Sequence, residues 1–246
     1  MRSWTFRPWL ALDTETTGVN PETDRIVTAA VVKWHDDRPV RTRTWLSDAG
    51  GVPIQAGATA MHGITTEHAQ AVGRPAAVVV AEITEALVAA AEEGWPVVVM
   101  NAPFDLTILE REAARYGINS LFSASVPLVL DPRILDKQVD RYRRGQRRLE
   151  DMCRTYGVVH GGAHDAAADA VAACEVTDVI VRRYSRLAEL PLQELHDQQV
   201  VWAAEQQSSL REHFAATPGK ESRVSTVRTE WPVTPLPSAL DTGCER

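Results

Sequence analysis

Two acidic residues, Asp13 and Glu15, stand one residue apart at the end of a short apolar run, residues 9–12. The run predicts a short buried strand, and alternate side chains of a strand share a face, so both carboxyl groups should project from the same side. Carboxylates about 7 Å apart repel each other, and a shared divalent cation would remove that repulsion. The alternative interpretation is a strand that ends in a solvated acidic turn.

A third acid, Asp105, lies in the first turn of a helix that the pattern predicts from Asn101 to about Tyr116. Asn101 is a residue type that caps helices, and we expect it to cap this one. An acid in the first turn also suits the helix dipole without any further role. The position of Asp105 alone therefore leaves both a structural and a functional role open.

The fourth acid, Asp169, lies one turn into a long helix predicted over about 165–187, with Asp165 as its cap. Small alanines surround Asp169 and leave room for a ligand. His164 stands just before the helix, after the glycine pair 161–162, which predicts a flexible joint. A histidine on such a joint can move toward a neighbouring group and accept a proton near neutral pH.

The hydrophobic pattern predicts the elements that must position these side chains. Further strands are expected at 25–34, 41–47, 96–100 and 126–130, and further helices at 75–93, 132–142, 147–156 and 192–214, whereas 50–74 reads as irregular. Three strands in a meander followed by strand–helix–strand units predict an α/β fold, a mixed five-stranded sheet with helices on both faces. Sites in such sheets lie beyond the strand ends, which would bring the acids after the first and fourth strands into one cleft.

The composition is that of an ordinary globular protein, with 44% hydrophobic and 24% charged residues in 246. No apolar run approaches the ~20 residues of a membrane span, and no secretory signal is evident, so we expect a cytoplasmic protein without membrane contact. Three widely spaced cysteines predict free thiols, not a zinc site or disulfide framework. The net charge of −7 argues against a protein that coats nucleic acid non-specifically.

Basic residues concentrate in one stretch, 141–148, which contains Arg141, Arg143, Arg144, Arg147 and Arg148. Arginine binds phosphate in a bidentate manner, so the stretch is a candidate phosphate site. A solvated helix face is the alternative.

The chain divides into three predicted regions: a domain over 1–188, a helical extension over 189–214 and a tail over 215–246. The extension carries one apolar face, which either packs back on the domain or docks a partner. The tail is rich in proline, serine and threonine and is expected to lack fixed structure.

Taken together, the motifs resemble those of the DnaQ-like DEDD exonucleases of the His type, the family of DNA polymerase III epsilon-like exonucleases. The matching features are Asp-x-Glu, an acid after Asn-x-x-Phe and His-x-x-x-x-Asp, in that order over about 8–187. The stretches 61–65 and 149–153, with Gly157, also look like family positions. One motif would be weak evidence, but this order and spacing are specific.

The resemblance implies a ribonuclease H-like fold and 3′-to-5′ removal of nucleotides from a nucleic-acid end, most readily single-stranded DNA. It assigns His164 to proton abstraction and implies two divalent cations, Mg²⁺ or Mn²⁺, which is chemistry suited to in-line displacement at phosphorus. The implied metal ligands are Asp13, Glu15, Asp105 and Asp169.

The resemblance also implies substrate contacts, at Thr14, Thr16, Met61, His62, Asn101 and Phe104. Phe104 would stack on a base and His62 would contact the last nucleotide, although a core role for Phe104 and a loop-holding role for His62 are the alternatives. Met100 departs from the family, in which a histidine often precedes the asparagine.

Three functions compete at this point. The leading one is a DNA exonuclease, standalone or with a DNA polymerase as partner, although no short polymerase-binding peptide is evident. An RNA exonuclease similar to ribonuclease T or oligoribonuclease is the second, because the contacts that read the 2′-hydroxyl cannot be located. A non-catalytic binding module is the third, and it would require a missing ligand or base, whereas all five positions are filled.

Overall fold

A mixed five-stranded sheet with strand order β3-β2-β1-β4-β5 forms the centre of the computed structural model, which describes residues 4–162 and 164–236. The strands are β1 Trp9–Thr16, β2 Ile26–His35, β3 Arg38–Leu46, β4 Val97–Val99 and β5 Val129–Leu130. The first three form an antiparallel meander, and β4 and β5 are parallel to β1. The predicted α/β class and mixed sheet are confirmed.

Helices cover both faces of the sheet, as predicted. They are α1 Ala56–His62, α2 Thr66–Val72, α3 Ala76–Glu92, α4 Ala102–Arg115, α5 Leu121–Ala124, α6 Pro132–Val139, α7 Leu149–Tyr156, α8 Ala166–Arg183, α9 Arg186–Glu189 and α10 Leu192–Ala216, with 3₁₀ turns at Trp4–Phe6, Ala49–Gly51 and Glu221–Thr226. None of the described helices is both long and apolar enough to cross a membrane. Cys153 and Cys174 are buried free thiols, and Cys244 lies outside the described residues.

The alternation of side chains along β1 divides the core into two layers. Leu10 and Leu12 pack in a cluster with α3 and α4, whereas Trp9 and Ala11 pack in a second cluster with α7 and α8. Because alternate residues of a strand share a face, Asp13 continues the row that begins with Trp9. The strand therefore directs its two acids toward the side on which α8 lies.

The start of α4 differs from the prediction that Asn101 caps it. Asn101 has a left-handed backbone (φ 63°), and its side chain makes no capping hydrogen bond. Its Oδ1 instead accepts a hydrogen bond from Arg133 at 2.6 Å. The buried carboxylate of Asp131 supplies the cap, because it accepts from the backbone N–H groups of Asn101 (3.1 Å) and Ala102 (3.0 Å).

The stretch 50–74, predicted to be irregular, contains the short helices α1 and α2. Gly63 ends α1 in the left-handed region (φ 77°), and the Thr65 side chain caps α2 by accepting from His68 N–H. Two helices of seven residues each are too short to show a clear helical period in the sequence.

The arginine-rich stretch forms a loop between α6 and α7, so its interpretation as a helix face is wrong. Arg143 and Arg147 form ion pairs with Asp136, whose side chain is fully buried. Tyr156 Oη donates to the same carboxylate at 2.6 Å. Two of the five arginines therefore neutralise a buried acid of the fold.

The predicted extension packs back on the domain and covers the β5 edge of the sheet. His196 Nδ1 on α10 accepts from Val129 N–H at 3.0 Å. Gln199 Oε1 accepts from Asp131 N–H at 2.9 Å, and Gln199 Nε2 donates to the Val129 carbonyl at 2.9 Å. Side chains of α10 thus satisfy backbone groups that an exposed edge strand would leave open.

The prediction that 215–246 lacks fixed structure is wrong for residues 215–236, and residues 237–246 lie outside the described part. Residues 217–236, named here the C-terminal segment, fold back over α4 and α10. Trp231 is only 6% exposed, packs against the His196 ring in a tilted arrangement with a centroid distance of 5.1 Å, and donates from Nε1 to Asp131 at 3.4 Å. Thr234 N–H donates to Thr107 Oγ1 at 2.9 Å. The sequence of this segment has no apolar periodicity, and one buried tryptophan together with a few hydrogen bonds holds it on the domain.

Trp231→Ala should detach the C-terminal segment from the domain. Loss of a buried tryptophan removes about 3 kcal/mol or more, which corresponds to roughly a hundredfold larger open population. Tryptic cleavage after Arg223 and Arg228 should accelerate accordingly in a limited-proteolysis time course. Leu236→Ala is the matched control, because Leu236 lies in the same segment but is 49% exposed. Equal cleavage rates in the two variants would contradict the anchoring role.

Candidate functional site

Four acids and a histidine from β1, α4 and α8 converge beyond the carboxyl end of β1. Ligand atoms of Glu15, His164 and Asp169 all lie within 4.8 Å of one another, and His164 Nδ1 is 3.9 Å from Glu15 Oε1. The carboxylates of Asp105 and Asp169 are close enough to repel both Asp13 and Glu15. The structure thus brings together all five residues for which the sequence predicts a catalytic role.

Burial and mutual repulsion disfavour the charged form of these acids. Burial, and then repulsion by Asp105, Asp169 and Glu15, holds the pKa of Asp13 well above its usual range. Burial, and then repulsion by Asp169, Asp105 and Asp165, raises the pKa of Glu15 to about 7. A cluster that resists full ionisation is a place where an added positive charge is strongly favoured.

Thr14 fixes the carboxyl group of Asp105, which is 5% exposed. The Thr14 backbone N–H and hydroxyl both donate to Asp105 Oδ1, at 3.0 and 2.7 Å. Burial raises the pKa of Asp105 to about 7, although these two hydrogen bonds act in the opposite direction. Residue 14 thus connects β1 to the first turn of α4 and holds Asp105 next to the strand.

Asp169 is held from two sides. His160 Nε2 is 2.5 Å from Asp169 Oδ1, and the backbone N–H of His164 donates to Oδ2 at 3.2 Å. Burial raises the pKa of Asp169, and the hydrogen bond from His160 acts against this rise. The sequence analysis missed His160, because nothing in its neighbourhood distinguishes it from a loop residue, and only the folded structure brings it to α8.

His164 has a left-handed backbone (φ 64°), which is unfavourable by about 1–2 kcal/mol for a residue with a side chain. Asp165, as predicted, caps α8 by accepting from the N–H groups of Ala167 and Ala168. The His164 side chain is 37% exposed and lines a cavity of about 330 Å³ together with His62 and Trp45. The turn therefore presents its imidazole to both the acids and the solvent, as strained residues at functional sites commonly do.

The predicted substrate contacts fall into two groups. Thr14 and Thr16 are buried, with the Thr14 hydroxyl bound to Asp105 and the Thr16 hydroxyl donating to the Gly18 carbonyl at 2.6 Å. Both hydroxyl protons are thus engaged inside the protein. In a hydrogen bond to a bound molecule, the hydroxyl oxygen of either threonine would therefore act as the acceptor and not as the donor.

The remaining candidates surround the site. His62 Nε2 lies 3.3 Å from the Thr16 carbonyl, Nδ1 accepts from Ile64 N–H, and burial lowers the pKa of His62. Met61 is 55% exposed. Asn101 and Phe104 are half-buried at the start of α4. The loop-holding role of His62 is therefore present, and its ring still lies close to His164.

The donor set fits hard divalent cations. All four acids offer carboxylate oxygens, the ligands preferred by Mg²⁺ and Mn²⁺. Three of them are partly or fully shielded from water and repel one another, so a cation would relieve the unfavourable burial of charge. The described part of the site contains no cysteine, so it does not resemble a structural zinc centre.

Comparisons with known proteins identify a family and a shared fold. The RNase_T family model, described as an exonuclease, matches residues 10–177. Similar solved structures include E. coli exonuclease I in complex with a dA16 oligonucleotide (TM-score 0.64, 21% identity, 74% of this chain) and exonuclease I from Methylocaldum szegediense (TM-score 0.63, 22% identity, 74% of this chain). The chain spans 42% of the length of each. No curated protein matches in sequence.

The structural similarity shows a shared fold, and the family match covers all four acids and His164. The chain belongs to the exonuclease family described by the RNase_T model.

Proposed function

We propose that this protein is a metal-dependent 3′-to-5′ exonuclease of the His-type DEDD class, which releases nucleoside monophosphates from single-stranded DNA. The observation that carries the proposal is the convergence of Asp13, Glu15, Asp105, Asp169 and His164 in a chain of the exonuclease family. Each of these residues occupies the motif position that the resemblance assigns to it.

The four acids would hold two divalent cations, Mg²⁺ or Mn²⁺. When bound, such cations stabilise charge on the attacking and leaving oxygens of a displacement at phosphorus. The chain's own contribution is to hold the acids in place before any cation arrives. Thr14 does so for Asp105, and His160 does so for Asp169.

His164 is proposed to act as the general base. Its ring is partly exposed and faces Glu15, so a water molecule can approach it from the solvent side. A neutral imidazole nitrogen accepts the proton of that water as its oxygen bonds to the phosphorus of the terminal phosphodiester, and the bond from that phosphorus to the 3′-oxygen of the preceding nucleotide breaks. The freed 3′-oxygen takes up a proton from solvent, and the imidazolium releases its own proton to solvent through the exposed ring.

Phe104, Asn101, Met61 and His62 are proposed to hold the terminal nucleotide. Phe104 and Asn101 stand on the α4 rim, and the half-exposed Met61 and His62 stand on the α1 rim. Stacking of a base on an aromatic ring contributes about 1–3 kcal/mol and tolerates any base. This arrangement would bind an end without reading its sequence.

DNA is proposed as the substrate because similar structures were solved as exonuclease I bound to DNA oligonucleotides. A repair or proofreading role, a DNA polymerase partner and a cytoplasmic location stay predictions from the sequence. A cleavage ladder mainly on RNA would favour the RNA exonuclease alternative with the same residues in the same roles.

Asp105→Asn should lower the cleavage rate by at least about a hundredfold, because it removes a cation-binding charge. The asparagine keeps the Oδ1 acceptor for Thr14, so the fold should survive. The measurement is shortening of 5′-labelled single-stranded DNA and RNA with Mg²⁺ or Mn²⁺. Asp165→Asn is the matched control, because asparagine caps a helix as well as aspartate does, and its rate should stay within a few-fold of wild type. Full activity of Asp105→Asn would refute the metal assignment.

The two histidines next to the acids should be separable. His164→Ala should lower the rate by about 10²–10⁴ and keep the affinity for Mn²⁺ measured by calorimetry. His160→Ala should weaken Mn²⁺ binding by about 10–100-fold, because it removes the group that orients Asp169. If Mn²⁺ affinity collapsed in His164→Ala instead, His164 would be a ligand and not the base.

The raised pKa values predict how stability depends on pH in the metal-free protein. Glu15 has a pKa of about 7 in the folded state and near 4.5 as a model compound, so between these values the folded state binds more protons than the unfolded state. The free energy of unfolding should therefore fall as pH rises through this window. Glu15→Gln should be more stable than wild type at about pH 8 in the presence of a chelator. The difference in stability should become smaller as the pH is lowered toward 4. At about pH 8 with Mn²⁺ in place of the chelator, wild type should be the more stable protein.

Urea unfolding at several pH values measures this dependence. Glu85→Gln, which removes an exposed acid from α3, is the control and should show no such pH-dependent gain. A gain of equal size in both variants would mean that net charge, and not the acid cluster, sets the stability.

A further inference from the structure

A groove begins next to the proposed site, at Phe104, and has the C-terminal segment as one wall. Pro21, Phe104 and Phe214 are among the residues that line this first part, whose volume is about 340 Å³. Arg223 and Arg228 line it from the C-terminal segment. Phe104 and Asp105 are adjacent in the first turn of α4, so the groove begins at the same helix turn that carries one of the four acids.

The groove continues between α6 and α10. A second part of about 250 Å³ shares a ridge of residues with the first: Asn101, Pro103, Gln207, Leu210 and Glu230. Arg133, Lys137 and Arg147 line this part, and a small depression beyond it is lined by Lys137 and Arg141. We call the connected depressions the C-terminal groove.

Cations outnumber accessible anions along the C-terminal groove. Six basic side chains line it, of which Arg147 is already paired with the buried Asp136: Arg133, Lys137, Arg141, Arg147, Arg223 and Arg228. Of the three acids that line it, Asp131 is buried and occupied by backbone N–H groups, which leaves Glu205 and Glu230. This concentration of positive charge is notable because the whole chain carries −7.

The basic groups repel one another in the absence of a ligand. Burial, and then repulsion by Arg147, Arg133 and Arg141, lowers the pKa of Lys137. Within residues 4–162 and 164–236, neither Lys137 nor Arg228 forms an ion pair with an acid. A ligand with a row of negative charges would relieve this repulsion.

We propose that the C-terminal groove binds the sugar–phosphate backbone of the single strand on the 5′ side of the nucleotide held in the site. The inference rests on the proposed function, because the strand must enter the groove from a 3′ end held beside Phe104. Arginines in series suit successive phosphates, and the half-buried Gln206 and Gln207 add amide groups that can hydrogen-bond them. Contacts to phosphate carry no sequence information, so binding in the groove should not depend on base sequence.

One side of the groove belongs to the part of the chain beyond the family match. The family model ends at residue 177, whereas α10 and the C-terminal segment form one side of the groove. The proposal therefore gives the extension a role in substrate binding in addition to covering the β5 edge. It predicts that longer strands bind more tightly than strands that reach only the site.

Fluorescence anisotropy tests the proposal with labelled oligo(dT) of about four and about 16 nucleotides, the range of site sizes of single-strand-binding folds. All proteins carry Asp105→Asn and are measured with Mg²⁺, so that the strand is not consumed. Lys137→Gln/Arg228→Gln should weaken binding of the longer strand about tenfold and reduce the salt slope by about 1.4, or 0.7 per lost phosphate contact. Binding of the shorter strand should be unchanged.

Arg38→Gln/Arg41→Gln is the matched control, because it removes the same charge from exposed positions of β3, at the far edge of the sheet. It should leave the affinity for both lengths and the salt slope near those of the parent. Equal losses in the two double variants would overturn the proposal and reduce the effect to net charge. An unchanged affinity in Lys137→Gln/Arg228→Gln would also overturn it and leave the basic groove to an acidic protein partner.

A parallel cleavage assay separates this proposal from the proposed function. Proteins with Asp105 intact are given the shorter strand and Mg²⁺. Cleavage of the shorter strand, together with no difference between the double variants in binding the longer one, would refute the groove alone. Absence of cleavage would refute the exonuclease proposal, whatever the binding data show for the groove.

Discussion

Repulsion among four acids that the fold holds close together is the constraint on which the site depends. β1, α4 and α8 place these groups where burial and proximity both oppose ionisation. Hydrogen bonds offset part of the unfavourable free energy of ionisation: Thr14 forms them to Asp105, and His160 forms one to Asp169. Asp105 and Asp169 also lie in the first turns of their helices, where the helix dipole favours negative charge. The remaining repulsion favours any positive charge that binds among the four acids.

A fifth acid, Asp131, connects the site to the rest of the molecule. Its carboxylate accepts from the N–H groups that begin α4, from Arg133 N–H at the start of α6 and from the Trp231 indole of the C-terminal segment. Its own N–H donates to Gln199 of α10. Burial raises the pKa of Asp131, whereas the backbone hydrogen bonds lower it, so the carboxylate depends on these donors. Because one group holds both the start of α4 and the C-terminal segment, the site and the C-terminal groove are fixed relative to each other.

Short sequence patterns predict those features of the fold that depend only on residues close together in the chain. Alternation along β1 shows that Asp13 and Glu15 share a face, and Asp165 caps α8 as its residue type and position indicate. The predictions that were wrong concern residues whose partners are distant in sequence. Asp131 caps α4 from 30 residues away, and Trp231 anchors a segment whose composition alone favours disorder. His160 gives no signal because its role arises only when its loop is brought to Asp169.

The same reasoning explains why a basic stretch misleads when it is read alone. Arg143 and Arg147 neutralise the buried Asp136, so the density of arginine in 141–148 overstates the charge available to a ligand. Of the arginines in that stretch, only Arg141 lines the C-terminal groove without a partner among the buried acids of the described residues. The other cations of the groove that form no ion pair within the part of the chain that the structure describes are Arg133 and Lys137 on α6 and Arg223 and Arg228 in the C-terminal segment.

Charges separated by more than about 10 Å are largely screened at physiological salt, so the net charge of −7 does not decide what each surface binds. A protein that handles a polyanion needs its acids confined to the place where cations bind and its bases placed where the strand runs. The fold achieves this separation by setting the acids at the end of β1 and the bases between α6, α10 and the C-terminal segment. Phe104 lies at the junction of the two regions, between the acids at the end of β1 and the basic C-terminal groove, where the proposed function places the last nucleotide.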